Sequence, residues 1–256
     1  MKGRAAVITG GGRGVGAAVA ARLAHAGATV LVASRTVREV ETIAERLRAD
    51  GHSAHAAMCD VSDPEQVERL AAVAAERLGH VDILVNNAGV ARAAAVHKTS
   101  LDDWNRMFAV NATGAFLCLK AFLPAMLERR WGRVVNVASV AGLSADRYIA
   151  AYAASKHALV GLTRAAAAET AAHGVTVNAV CPSYLATDMT RETIARIMQS
   201  TGRTEAQALE AILATTPQSR LIKADEVAEA VAYLCTEAAR GINGETLVID
   251  GGELRR

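Results

Sequence analysis

Ser139, Tyr152 and Lys156 have the types and spacing to move a proton to or from a substrate oxygen. Ser139 follows the apolar run at 133–137, so its hydroxyl is expected at the end of a strand. Tyr152-Ala-Ala-Ser-Lys156 comes thirteen residues later, at the start of a helical stretch. Residues four apart share one helical face, which brings the ammonium beside the phenol. A free phenol titrates at about 10, and an adjacent cation favours the phenolate. Tyr152 can then trade a proton with a substrate oxygen near neutral pH while Ser139 hydrogen-bonds the same oxygen. An isolated Tyr-x-x-x-Lys is usually part of an ordinary amphipathic helix, so the chemistry depends on what positions these residues.

The positioning elements are read from periodicity. Apolar, partly β-branched runs at 5–8, 29–33, 54–58, 81–85, 133–137, 175–180 and 246–249 predict strands. Helical patterns separate them at 36–50, from 63 to Gly79, at 152–172 and at 225–236, with two more between 85 and 133. Ser62 is the expected cap of the helix that holds Asp63, Pro64 and Glu65 in its first turn. Such alternation, with near-continuous apolar strands, predicts an α/β fold: a doubly wound parallel sheet covered by helices on both faces, in one domain over 1–256. In that fold the ligand lies outside the carboxyl ends of the strands.

The first such end is Thr9-Gly10-Gly11-Gly12-Arg13-Gly14-Val15-Gly16. Strand, glycine turn and helix N-terminus together form a phosphate-binding element, here with Gly10, Gly14 and Gly16 as the spaced glycines. The second strand ends in Ser34-Arg35, where an NAD-binding protein usually carries Asp or Glu. A hydroxyl with the guanidiniums of Arg13 and Arg35 suits a 2′-phosphate, so NADP(H) is favoured over NAD(H). Asp60-Val61 closes the third strand and Asn86-Asn87-Ala88-Gly89 the fourth; the asparagines can hold neighbouring strands or a ribose.

Composition narrows the function classes. A net charge of +2 without a dense Lys/Arg face argues against nucleic-acid or membrane-surface binding. No apolar stretch reads as long enough to span a bilayer, and the N-terminus does not read as a signal peptide. Cys59, Cys118, Cys181 and Cys235 are far apart and read as buried thiols of a reducing cytoplasm, with no metal site expected. His52 and His55 read as solvated.

The ordered set Thr9-Gly10-x-x-x-Gly14-x-Gly16, Asp60-Val61, Asn86-Asn87-Ala88-Gly89, Asn111, Ser139, Tyr152 and Lys156 resembles the short-chain dehydrogenase/reductase family over essentially the full chain. The resemblance implies a Rossmann-type three-layer α/β/α fold and a catalytic tetrad at Asn111, Ser139, Tyr152 and Lys156. It implies that Tyr152 is general acid in reduction, that Ser139 polarises the carbonyl, and that Lys156 holds the nicotinamide ribose and lowers the tyrosine pKa. Asn111 would anchor a water relaying protons to Lys156. Pro182, Leu185 and Thr187 would hold the nicotinamide carboxamide, with Ser183 standing where the family usually has glycine. The segment 188–217 would be a helical substrate lid, and a homotetramer would form on helices near 112–130 and 152–172.

By the same resemblance the substrate is a small carbonyl compound: a 3-oxoacyl thioester, a polyketide-type ketone or a cyclic ketone, reduced with NADPH. The alternatives are an NAD(P)-linked alcohol or 3-hydroxyacyl-CoA dehydrogenase working in the catabolic direction, and a dinucleotide-sensing binding protein without turnover. Arg191, Arg196 and Arg203 could attract a coenzyme A phosphate, and Arg129, Arg130 and Arg133 could dock a carrier protein; a solvated face is the default for each group.

Overall fold

The computed structural model describes residues 1–254. Its strands are β1 (Ala5–Thr9), β2 (Thr29–Ser34), β3 (Ala54–Met58), β4 (Ile83–Asn86), β5 (Gly132–Val137), β6 (Val175–Pro182) and β7 (Thr246–Ile249). They form one seven-stranded sheet in the order β3-β2-β1-β4-β5-β6-β7. Every pairing is parallel. The order reverses between β1 and β4, which opens a crevice beyond their carboxyl ends.

Side chains along each strand alternate between two buried faces. Ala6, Ile8, Val30 and Val32 pack with α1 (Gly14–His25), α2 (Val37–Ala49) and α9 (Ala224–Leu234). Val7, Leu31 and Leu84 pack with α3 (Pro64–Leu78) and α5 (Gly114–Glu128) on the other face. Ile8, Leu31 and Leu84 are fully buried, and each such side chain contributes about 1.5–3 kcal/mol. A sheet buried on both faces explains why the strands read as continuous apolar runs. The remaining helices are α4 (Leu101–Phe108), α6 (Ala150–Thr170), α7 (Asp188–Thr201) and α8 (Glu205–Leu213).

Three expectations change. The cap of α3 is Asp63, whose carboxylate accepts from the amides of Glu65 and Gln66, because Ser62 is engaged by Asp60 at 2.6 Å. A π-helical turn at Ala109–Thr113 carries α4 into α5 without a break, and Leu101–Glu128 is long and apolar enough to cross a membrane by length and composition. Its apolar residues Cys118, Leu119, Phe122 and Met126 instead pack on the sheet, so core packing accounts for them. His52 and His55 are half-buried, with His52 against the ring of His25.

The four cysteines are buried, and burial pushes the thiols of Cys59 up to about 11 and of Cys118 and Cys235 up to about 12. At neutral pH these three are thiols, which suits packing rather than nucleophilic chemistry.

Candidate active site

A cleft of about 680 Å³ runs along the carboxyl edge of the sheet. At one end the chain leaves β1 through the glycine turn. Gly10 has φ +64°, and a Cβ there would lie 2.9 Å from Ala88 Cα; a Cβ on Gly16 would lie 2.3 Å from the Gly10 carbonyl. The turn is braced from β4. Asn87 Nδ2 donates to the carbonyls of Thr9 and Gly10, both at 3.0 Å, and the Asn87 and Ala88 amides donate to Thr9 Oγ1 at 3.1 and 3.2 Å. Asn86 Nδ2 donates to Asn136 Oδ1 at 2.9 Å, so the asparagine pair holds strands and turn together.

The following helix α1 has no side-chain cap and no acidic residue in its first turn. Its leading N–H groups and positive dipole end therefore face an anion site, and the bare glycines let a pyrophosphate approach the backbone. These residues fit a dinucleotide. Gly10, Gly12, Arg13, Gly14 and Val15 line the cleft, whereas buried Gly16 supports the turn from behind.

Ser34, Arg35, Asp60 and Val61 line the cleft beyond the glycine turn. Arg35 lies 3.9 Å from Asp60, and Arg13 lies 3.7 Å from Asp188 at the start of α7. The sequence reading missed Glu39. Its Cβ would be 2.7 Å from a Cβ on Gly12, so the glycine makes room for a carboxylate at this end of the cleft. A helical turn separates Glu39 from Arg35, and only the packing of α2 on the glycine loop reveals the approach.

Ser139, Tyr152 and Lys156 converge on the cleft floor. Ser139 caps a short turn at Val140–Gly142, where Oγ accepts from the Ala141 amide at 3.1 Å. A Cβ on Gly142 would lie 2.9 Å from the Lys156 carbonyl, so this glycine lets the turn seat directly on α6. Lys156 is buried, donates from Nζ to the Val137 carbonyl at 2.9 Å, and lies 5.8 Å from the Tyr152 ring centroid. Burial brings the Lys156 ammonium down to about 8.

The expected lowering of the phenol is not what the packing gives. Loss of solvent raises Tyr152 above its ordinary value, and the hydrogen bond with Ser139 opposes this only in part. The lysine shares the helical face with its ammonium 5.8 Å from the ring centroid, and desolvation is the largest influence on the phenol.

Asn111 stands behind the cleft in the π-helical turn, 1% exposed. Its Oδ1 accepts from the Val90 amide at 2.8 Å, and its Nδ2 donates to the Val90 carbonyl and to Ser155 Oγ, each at 2.9 Å. Ser155 Oγ donates in turn to the Tyr152 carbonyl at 2.7 Å. Asn111 thus ties the loop after Gly89 to the first turn of α6, using both amide protons.

Pro182, the last residue of β6, lines the cleft with Leu185 and Thr187 just beyond it. The Ala186 amide donates to the Ile222 carbonyl at 2.9 Å and fixes this loop, and Thr187 Cγ2 would lie 3.5 Å from a Cβ on Gly14. Ser183 fits without strain: the non-glycine residues with positive φ among those described are Arg130, Tyr148 and Ser219. Arg133 is not a docking residue. It is 2% exposed, stacked on Trp131 and paired with Glu237 at 3.1 Å.

Fold and cleft together describe a nucleotide-dependent enzyme of the doubly wound class. The family profile described as short chain dehydrogenase matches residues 4–197, and the chain belongs to that family. It is an oxidoreductase acting on CH–OH and C=O groups, and its family binds NAD(P)(H). It is 36% identical over 252 residues to a 3-oxoacyl-(acyl-carrier-protein) reductase of Escherichia coli, covering 98% of both chains. It is also 36% identical over 254 residues to a D-beta-hydroxybutyrate dehydrogenase of Rhizobium meliloti, covering 97% of this chain and 98% of the relative. A crystal structure of a variant actinorhodin polyketide ketoreductase with NADPH superimposes with a TM-score of 0.95 at 37% identity, covering 98% of this chain and 97% of the other.

Proposed function

We propose that this protein reduces a ketone with NADPH, and that Ser139, Tyr152 and Lys156 do the chemistry. The observation that carries the reading is the convergence of these three on the floor of the cleft that the glycine turn opens. NADPH bound along the cleft supplies the hydride that the ketone carbon accepts. Ser139 hydrogen-bonds the carbonyl oxygen, and Tyr152 donates its phenolic proton to that oxygen as negative charge develops there. A phenol raised by burial stays protonated at neutral pH, which suits the acid role and therefore the reductive direction. The Lys156 ammonium supports the phenolate left behind, and it holds the cofactor's nicotinamide ribose. Asn111, with its amide committed to Val90 and Ser155, is a positioning residue for this pair.

Arg13, Ser34 and Arg35 support a preference for the 2′-phosphate of NADP(H), with Glu39 opposing it. The loop bearing Pro182, Leu185 and Thr187 holds the carboxamide, and α7 with α8 forms a lid over the substrate. A homotetramer built on α5 and α6, in the cytoplasm, completes the proposal; Phe116 on α5 is 49% exposed.

The similar proteins divide between thioester or polyketide ketone reduction and oxidation of a free 3-hydroxy acid at nearly equal identity. A sensor without turnover has no use for the convergent Ser139, Tyr152 and Lys156. The test is loss of reduced-nicotinamide absorbance with NADPH and a panel of β-ketoacyl thioesters and cyclic ketones. Turnover with at least one is expected; tight NADPH binding without turnover on any would contradict the reading.

A further inference from the structure

Ser183, where the family resemblance leads one to expect glycine, has a partner in the tail. Ser183 Oγ donates to the carboxylate of Glu253, seventy residues on in the C-terminal tail. The tail is built to deliver that carboxylate. Asp250 accepts from the amides of Gly252 and Leu254 at 2.9 and 2.7 Å, and Gly251 and Gly252, at φ +63° and +89°, turn the chain after β7. Glu253 thereby lines the cleft together with Ser183, Tyr184 and Asp146. Ser139 and Tyr152 line this same cleft, so the carboxylates of Glu253 and Asp146 share one cavity with the reacting groups.

We infer that Glu253, latched by Ser183, sets the substrate class: it admits ketones whose neighbouring acyl group is neutral, as in an ester or thioester, and turns away free 3-oxo acids. A carboxylate one methylene from the reacting carbonyl would be brought toward Glu253 and Asp146, and like charges at short range in a partly desolvated cleft repel strongly. A neutral acyl group meets no such barrier. This inference rests on the ketone-reductase reading and decides between the two substrate classes that identity to relatives leaves level.

The groups acting on Glu253 are Asp146 and Asp250, both negative, with Ser183 and Thr215 as hydrogen-bond partners. Burial and these carboxylates raise its pKa above the usual glutamate value. The discriminating charge is therefore present at high pH and lost as pH falls through that raised pKa.

The test pairs 3-oxobutanoate with methyl 3-oxobutanoate, which share a reacting ketone and differ by one charge. Their kcat/KM values with NADPH, and their dissociation constants from the non-reacting complex of the enzyme with NADP+, are measured for the native protein and Glu253→Gln. The native protein is expected to favour the ester by about tenfold or more at pH 7.5 in both readouts. That preference should shrink to within about threefold in Glu253→Gln and narrow in the native protein as the pH is lowered. Ser183→Ala, which frees the latch while keeping the carboxylate, should also narrow it and serves if Glu253→Gln folds poorly. Equal binding of both ketones, a preference for the acid, a ratio unmoved by either variant, or binding of neither ketone would overturn the inference. Discrimination in binding without turnover would uphold it and sink the reductase reading instead.

Discussion

The two edges of the one sheet are built on opposite principles. At the amino edge, charges are closed on each other. Asp82, 2% exposed, accepts from the Ala5 amide at 3.0 Å and pairs with His80 at 3.1 Å and Arg4 at 3.4 Å. Arg4 and Arg133 approach the Trp131 ring at 3.5 and 4.5 Å. At the carboxyl edge, the glycine turn, an uncapped helix start and a buried lysine leave donors and charge directed into a cleft. Buried polar groups at the first edge hold the strands; at the second they are held by other residues so that a ligand can use them. Mutations should therefore separate stability from chemistry.

Tyr152→Phe should give the largest effect and only on the chemical side. Reductive kcat should fall by about 10²–10⁴-fold, with NADPH affinity by titration calorimetry and Tm close to native. Retained turnover would remove Tyr152 from the proton-transfer role. At the amino edge, Asp82→Ala should cost about 1–3 kcal/mol in urea unfolding by stranding the Ala5 amide, with kcat of the folded fraction little changed. A variant equally harmful to kcat and mild in stability would erase the contrast.

Arg35→Asp should shift the NADPH/NADH ratio of kcat/KM by about tenfold toward NADH. Glu39→Gln should move the ratio the other way by a few-fold, since it removes a carboxylate from the same end. Unchanged ratios in both would move the 2′-phosphate site elsewhere. The smallest effect is in pH. Lys156, lowered to about 8, is charged below that value and neutral above it. Reductive kcat/KM should decline as pH rises through about 8, and a profile flat to pH 9.5 would show that its charge is not needed.

What was legible in the sequence was local or periodic. The strands fell within a residue or two of their expected limits, since burial on both faces writes itself as apolar runs. Ser139, Tyr152 and Lys156 were legible because a strand end and one helical turn fix where they lie. Arg133 was misread as a surface charge, because only pairing of β5 between β4 and β6 buries it beside Trp131. The bracing of the glycine turn by Asn87, the clamp by Asn111 and the reach of Glu253 to Ser183 join residues far apart in the chain, where spacing carries no signal. The phenol's raised pKa was missed for a related reason: the charge beside it was visible in the sequence and the desolvation around it was not.

The central claim is that the carboxyl edge directs hydride to a ketone carbon. It is tested most directly by reducing methyl 3-oxobutanoate or another accepted ketone with NADPH carrying deuterium at the transferable position. The account predicts one deuterium on the new carbinol carbon, and loss of that product in Tyr152→Phe. An unlabelled alcohol, or cofactor oxidation without alcohol, would contradict it.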